Sequence, residues 1–201
     1  MNVIEGAVQL NRFGLERRRT WPAVALAIAV FLPALFWTQW NKAVPGEAEV
    51  APGTVLTLSA TGPPETGSFG RIRLTIPADG SGWRTATGRN RQSTVVLVHG
   101  SVWLETHAMA GVDDFGVLFD RQSRDLGNED PAMFTTGKER YTSPTGLTGY
   151  RGTLTGERYG GTLYVLGRGD VAAVVVTRAP LGRLDGEALT IEQILATLEV
   201  V

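Results

Sequence analysis

TVVLVHGSVW (residues 94–103) decides the fold, because it reads in two incompatible ways. In the first, Thr94–His99 is a strand, Gly100-Ser101 is a two-residue turn, and VWLETHA (102–108) is the returning strand. Glycine followed by a small polar residue suits a type II′ hairpin turn, with glycine at the position that needs a positive φ. This register pairs His99 with Val102, Leu97 with Leu104 and Val95 with Thr106.

The second reading takes the β-branched run ending in His99-Gly100 as the oxyanion-hole strand of an α/β-hydrolase. That fold needs a G-x-S-x-G nucleophile elbow. No serine after residue 40 (Ser59, Ser68, Ser81, Ser93, Ser101, Ser123, Ser143) has glycine at both −2 and +2. The chain order is serine, acid, histidine, and no histidine follows His107, so the C-terminal third cannot supply the base. The hairpin is therefore preferred, and with it a chain of antiparallel strands.

Outward from the hairpin the pattern repeats. TVLTLSA (54–60) reads as a strand, and GRIRLTIP (70–77) sets Ile72, Leu74 and Ile76 against Arg71, Arg73 and Thr75. Trp83 and Trp103 are expected in the core. GVDDFGVLFDRQSRDLG (111–127) reads as a helix, capped by Asp113 or Asp114 and ended by Gly127. Strands are expected near 137–142, 147–155, 160–167 and 170–178, with Gly160-Gly161 as a turn. VAAVVVT (171–177) is the most apolar and hence central. ALTIEQILATLEV (188–200) reads as an amphipathic helix that lays Leu189, Ile191, Ile194, Leu195 and Leu198 on the sheet. The gaps after residue 135 are too short for parallel crossovers. The fold class is α+β: an antiparallel sheet flanked by helices, preceded by one transmembrane helix.

That helix is WPAVALAIAVFLPALFWTQW (21–40). It carries no charge, and twenty helical residues span about 30 Å, the thickness of the hydrocarbon core. Trp21 at one end and Trp37 and Trp40 at the other form interfacial belts. Arg17, Arg18 and Arg19 precede it, and only Lys42 follows closely, which puts the N-terminus in the cytoplasm. A cleaved signal peptide would have a shorter apolar region and a small-x-small site, which 40–52 lacks. The expected organisation is a cytoplasmic tail (1–20), the span (21–40), a Pro/Gly/Glu linker (41–53) and an extracytoplasmic domain (54–201). The tail reads as an interfacial helix, as a frayed extension of the span or as disordered chain. Ala23, Ala25, Ala27 and Ala29, with a kink at Pro33, form a row suited to helix–helix packing.

Little points to catalysis. With no cysteine, thiolate chemistry, disulfides and a lipidated cysteine are excluded. His99 and His107 fall at opposite ends of the hairpin, which argues against a shared metal. Asp113-Asp114 is read as a helix cap and Arg84/Arg89/Arg91 as a solvated loop. A net charge of −1 offers no footprint for nucleic acid. No catalytic residue, cofactor or metal is expected.

From residue 70 onward the order of features resembles the Mog1/PsbP-like fold, in particular exported actinobacterial proteins of the LpqN type. The resemblance lies in RIRLTIPADGSGW (71–83), VVLVHGSVWLET (95–106), the helix 112–126, TSPTGLTGYRGTLTG (142–156), GGTLYVLGRGDVAAVVVTRAP (160–180) and IEQILATLEV (191–200). It implies an antiparallel sheet with helices on its faces and work as an accessory subunit, assembly factor or binding module. LpqN-type proteins are commonly lipid-anchored through cysteine, whereas this chain carries the transmembrane segment instead. The expected function is that of a single-pass, non-catalytic accessory or interaction subunit of a bacterial membrane or envelope complex. The alternative is an envelope module binding a lipid, a glycan or another small ligand.

Overall fold

The computed structural model describes Leu26 and residues 47–201, apart from 79–81, 87–88, 130–132 and 184–187 and the side chains of 129 and 188–190. The predicted span 21–40, the arginines and tryptophans that flank it and the alanine row Ala23–Ala29 with Pro33 lie outside the described residues, Leu26 apart. Among the described residues no helix is long and apolar enough to cross a membrane.

The strands in chain order are β1 (Ala48–Glu49), β2 (Val55–Thr61), β3 (Phe69–Thr75), β4 (Arg84–Thr85), β5 (Thr94–His99) and β6 (Val102–Ala110). After α1 (Phe115–Glu129) come β7 (Phe134–Thr142), β8 (Thr148–Thr155), β9 (Tyr159–Arg168) and β10 (Val171–Pro180). The chain closes with α2 (Ala188–Leu195) and β11 (Glu199–Val200). Eight strands form one sheet in the order β1-β4-β5-β6-β10-β9-β8-β7, and β11-β3-β2 form a second. Every strand pair is antiparallel.

The β5–β6 hairpin has the expected register: His99 faces Val102, Leu97 faces Leu104 and Val95 faces Thr106. Gly100 has φ +57°, and among the described residues no non-glycine residue has a positive φ. One positive φ, at the first turn position, is the II′ signature. β10 lies inside the large sheet between β6 and β9. Its side chains alternate between two cores, with Val171, Ala173, Val175 and Ala179 on one face and Ala172, Val174 and Val176 on the other. A strand buried on both faces needs a continuous apolar run, as this one has.

The first face is covered by a sheet as well as by a helix, which differs from the expectation of helices alone. β2 and β3 contribute Leu58, Ala60, Ile72 and Leu74 to the core, joined by Ile191, Ile194, Leu195 and Leu198. The alternation of β3 carries this result, because a strand apolar on one side only can lie face-on against another sheet. The other face is covered by α1 through Leu118, Phe119 and Leu126, over Leu154, Leu163 and Val165.

Three local expectations are corrected. Gly127 does not end α1, which continues to Glu129, and Gly127 lacks the positive φ of a helix-terminating glycine. The last helix stops at Leu195, five residues early. The Thr197 hydroxyl lies 2.8 Å from the Ile194 carbonyl and 3.0 Å from that of Thr75, and accepts the Thr75 N–H at 2.8 Å. That clamp turns the chain into β11 beside β3. Gly160-Gly161 lies inside β9 rather than in a turn. A Cβ on Gly161 would come 1.8 Å from the Thr177 carbonyl oxygen, so the pair permits close strand approach.

Candidate functional site: the β6 face beside the helix

On the α1 side, only part of the large sheet is covered. The helix packs on β7, β8 and β9. Side chains of β6 on that face, Trp103, Glu105, His107 and Met109, are only partly buried or exposed. They form the floor of a trough beside α1.

The trough opens at one end into a groove of about 720 Å³. Its walls are the end of β2 and the following loop, the turn at Gln92-Ser93, the end of β6 and the first turns of α1. Backbone bonds hold these walls: Ser59 N–H donates to Gln92 O, and Ala108 N–H to Ser93 O, both at 2.8 Å. Val117 and Arg121 of α1 and Met109 of β6 line it, and Val117 is 57% exposed. Asp113 and Asp114 also line it, and Asp114 is the helix cap. Its Oδ1 accepts the N–H groups of Gly116 at 2.6 Å and Val117 at 3.2 Å.

In the middle of the floor, three side chains form one chain of contacts. Thr94 Oγ1 lies 3.0 Å from His107 Nδ1, and His107 Nε2 lies 2.9 Å from Glu105 Oε1. The strands dictate this, since Thr94 is the cross-strand partner of His107 and Glu105 sits two residues earlier on the same face. The Glu105 carboxyl is held below the usual carboxylate range, chiefly by its hydrogen bond to His107. Burial opposes this, and the charges of His107, Arg178 and Arg89 add to it. Hydroxyl, imidazole and carboxylate in series is the order used by nucleophilic hydrolases. Here the hydroxyl belongs to Thr94, which is only 8% exposed and whose backbone N–H and C=O are both bonded to Arg91. The arrangement fixes the imidazole ring, with Glu105 placing the proton on Nε2 when the ring is neutral.

At the far end Trp103 pairs across the strands with Arg178. Trp103 is 40% exposed, which corrects the expectation of a core residue. Trp83 is fully buried as expected, its ring centroid 5.3 Å from that of His99. The arginines of residues 84–91 are split. Arg84 lies 3.5 Å from Glu47, whereas the Arg89 guanidinium sits over the Trp103 ring at 5.1 Å. A smaller pocket of about 240 Å³ lies among Trp103, Met133, Tyr159 and Arg178.

The two histidines lie at opposite ends of the hairpin, as the sequence leads one to expect, with His99 opposite Val102 and His107 opposite Thr94. Sequence reading missed Thr94, Glu105 and Arg178. The signal for the first two was present, because the hairpin register already set Thr94 opposite His107.

The fold is thus an antiparallel α+β sheet layered between a small sheet and a helix. Among solved structures, the chain is similar to a cyanobacterial PsbP (CyanoP) from Synechocystis sp. PCC 6803. The two are 11% identical, with a TM-score of 0.49, over 76% of this chain and 95% of that one. It is also similar to the Saccharomyces cerevisiae Ran-binding protein Mog1p: 14% identity, TM-score 0.42, 73% of this chain and 96% of that one. A Bacteroides thetaiotaomicron VPI-5482 protein matches at 19% identity and TM-score 0.36 over 65% of this chain. The match spans 45% of that protein's length. No family model and no curated protein matches the sequence.

Proposed function

We propose that this chain is a membrane-tethered, non-catalytic binding domain of a bacterial envelope, of the LpqN type. Residues 21–40 hold it in the membrane, and the trough beside α1 docks a protein of the same envelope. One observation carries the docking face: α1 leaves the β6 part of its sheet face open, and that part carries an exposed tryptophan and a groove. Monomeric domains ordinarily cover such surfaces or use them. The polarity of the tethered segment supports the location, with Arg17–Arg19 on one side and tryptophans at both ends.

The test is a photo-crosslinking amino acid at Val117, in the full-length chain in native membranes. Arg73, exposed on the outer face of the small sheet, is the control position. A discrete adduct from 117 and none from 73 supports the docking face. Adducts from 73 alone, or equal adducts from both, would refute it.

The groove also favours a second reading. At about 720 Å³, and lined by Ser59, Thr61, Gln92, Ser93 and Arg121, it has the size and polar groups of a small-ligand site. A lipid or glycan bound there would raise the melting temperature of the full chain with ligand concentration. A Gln92→Ala, Arg121→Ala double variant would lose that shift.

A further inference from the structure

The groove at the end of the trough carries two charges that the fold leaves unmatched. The Asp113 carboxylate and the Arg121 guanidinium both line it, and both residues are exposed. Among the described residues neither side chain makes a hydrogen bond or an ion pair. The acidic groups next to them in sequence are engaged elsewhere. Asp114 caps α1 through its Oδ1, and the Asp120 carboxylate meets the Lys138 ammonium at 2.7 Å.

The helix sets the spacing of the two charges. Asp114, Val117 and Arg121 fall on one face of α1, because they are three and four residues apart. Arg121 lies two turns beyond the cap, about 10 Å along the axis. The helix wall therefore presents negative charge at one end, an apolar stretch at Val117 and positive charge at the other end. The opposite wall is neutral, with hydroxyls from Ser59 and Ser93 and an amide from Gln92.

These features narrow the ligand. Among the described residues that line the groove none is aromatic, so a nucleobase has no ring to stack on, and its phosphate would meet Asp113 and Asp114. A hydrocarbon chain would cover hydroxyls, an amide and two charges without pairing them, which costs free energy. A zwitterion with its ends about 10 Å apart matches both charges, and three extended residues span about that distance. The peptide groups between those ends can exchange hydrogen bonds with the neutral wall.

We propose that the groove takes a free peptide of about three small residues, with its amino group at Asp113 and its carboxylate at Arg121. This rests on the reading of the groove as a small-ligand site and names the class of that ligand. The two charges fix the direction of the peptide, because a reversed chain would set like charges together at both ends.

The experiment uses the full chain in lipid nanodiscs with its methionine methyl groups labelled, so that three signals appear. Met109 reports on the groove, and Met133, 4% exposed, reports on the core. Met109→Leu assigns the first signal. Trialanine is titrated beside acetyl-trialanine, trialanine amide and dialanine. Trialanine is expected to move the Met109 signal saturably and leave that of Met133 in place. Each blocked form should bind about fivefold more weakly, for the loss of one charge-assisted contact. Dialanine, too short to reach both charges, should bind no better than the blocked forms. Asp113→Asn should abolish the difference between trialanine and its acetyl form and retain the difference from its amide. Arg121→Gln should do the reverse. Both positions are exposed and neither caps the helix, so both variants should fold.

Equal responses to all four probes, or none to trialanine in a folded chain, would overturn the proposal. So would full binding of the acetyl form, which would make this a site for the C-terminal tail of a protein. A Met109 response to maltose with none to trialanine would refute the peptide and keep the small-ligand reading. Silence toward every probe, with a discrete adduct from Val117, would refute both and leave the docking face.

Discussion

β6 and β10 are hydrogen-bonded neighbours on the same sheet, yet on the α1 side they meet opposite surroundings. Their paired residues are Ala172 and Met109, Val174 and His107, Val176 and Glu105, and Arg178 and Trp103. The first three β10 residues lie in a dry core under α1. Their β6 partners form a polar, half-open floor. One strand spacing, about 4.8 Å, separates the two. A helix is about 10 Å across and shelters only two or three strands. α1 sits on β7–β9 and its shelter runs out at β10. The boundary between core and candidate site is thus set by the width of one helix, and the side chains on either side of it follow.

The sharpest way to break that contrast is to put the same residue on both sides of the boundary. Val174→Asn would place an amide in the dry core and is expected to cost roughly 3–6 kcal/mol, from lost burial plus an unsatisfied polar group. His107→Asn, at the cross-strand partner, should cost about 1 kcal/mol, because water reaches it. Urea denaturation of both variants measures the difference. Equal costs would mean that the floor of the trough is sealed in solution.

The same contrast exists within the helix. Phe119 points into the core and carries the Lys138 ammonium over its ring at 5.4 Å. Phe119→Ala is expected to cost about 3–5 kcal/mol. Val117, two residues earlier, faces the groove, and Val117→Ala should stay within about 0.5 kcal/mol. A large effect at Val117 would show that the groove closes over it.

β10 reads as an unbroken apolar run and β6 as an alternating one, which is the difference between two buried faces and one. The hairpin register followed from one glycine. Alternation alone, however, does not name what covers a face, so a second sheet behind β5, β6 and β10 was not legible. Nor was the fate of Trp103. Tryptophan is usually buried, and its exposure here follows from where α1 ends, which no local pattern records. Gly160-Gly161 was misread because a glycine pair permits both a tight turn and a close strand approach. Arg178 looked like a strand terminus until the register set it beside Trp103.

A smaller effect tests the start of the helix that sets the boundary. Asp114 satisfies the N–H groups of Gly116 and Val117 in the first turn of α1. Asp114→Ala should cost about 0.5–2 kcal/mol, most of it recovered by Asp114→Asn. Because Asp114 also borders the groove, crosslinking from Val117 separates the two roles. Loss of stability with adducts retained means a cap only, whereas loss of adducts in Asp114→Asn would make the carboxylate part of the docking face.

The smallest expected effect lies in the floor itself. Glu105 is held ionised by His107, Arg178 and Arg89, so its acidity in the folded chain exceeds that in the unfolded one. A carboxylate of this kind contributes stability in full above its unfolded value of about 4.3, and the contribution disappears as pH falls through the folded value. Glu105→Gln removes the titrating group. The stability difference between wild type and Glu105→Gln should shrink steadily as the pH falls below about 4.3. At neutral pH it should fall in the range of about 0.2–1 kcal/mol expected for partly exposed ion pairs. Denaturant midpoints measured from pH 3 to 7 would show it. A difference that instead grew on acidification would mean that the floor favours protonated Glu105, and the influence assigned to His107, Arg178 and Arg89 on it would have to be withdrawn.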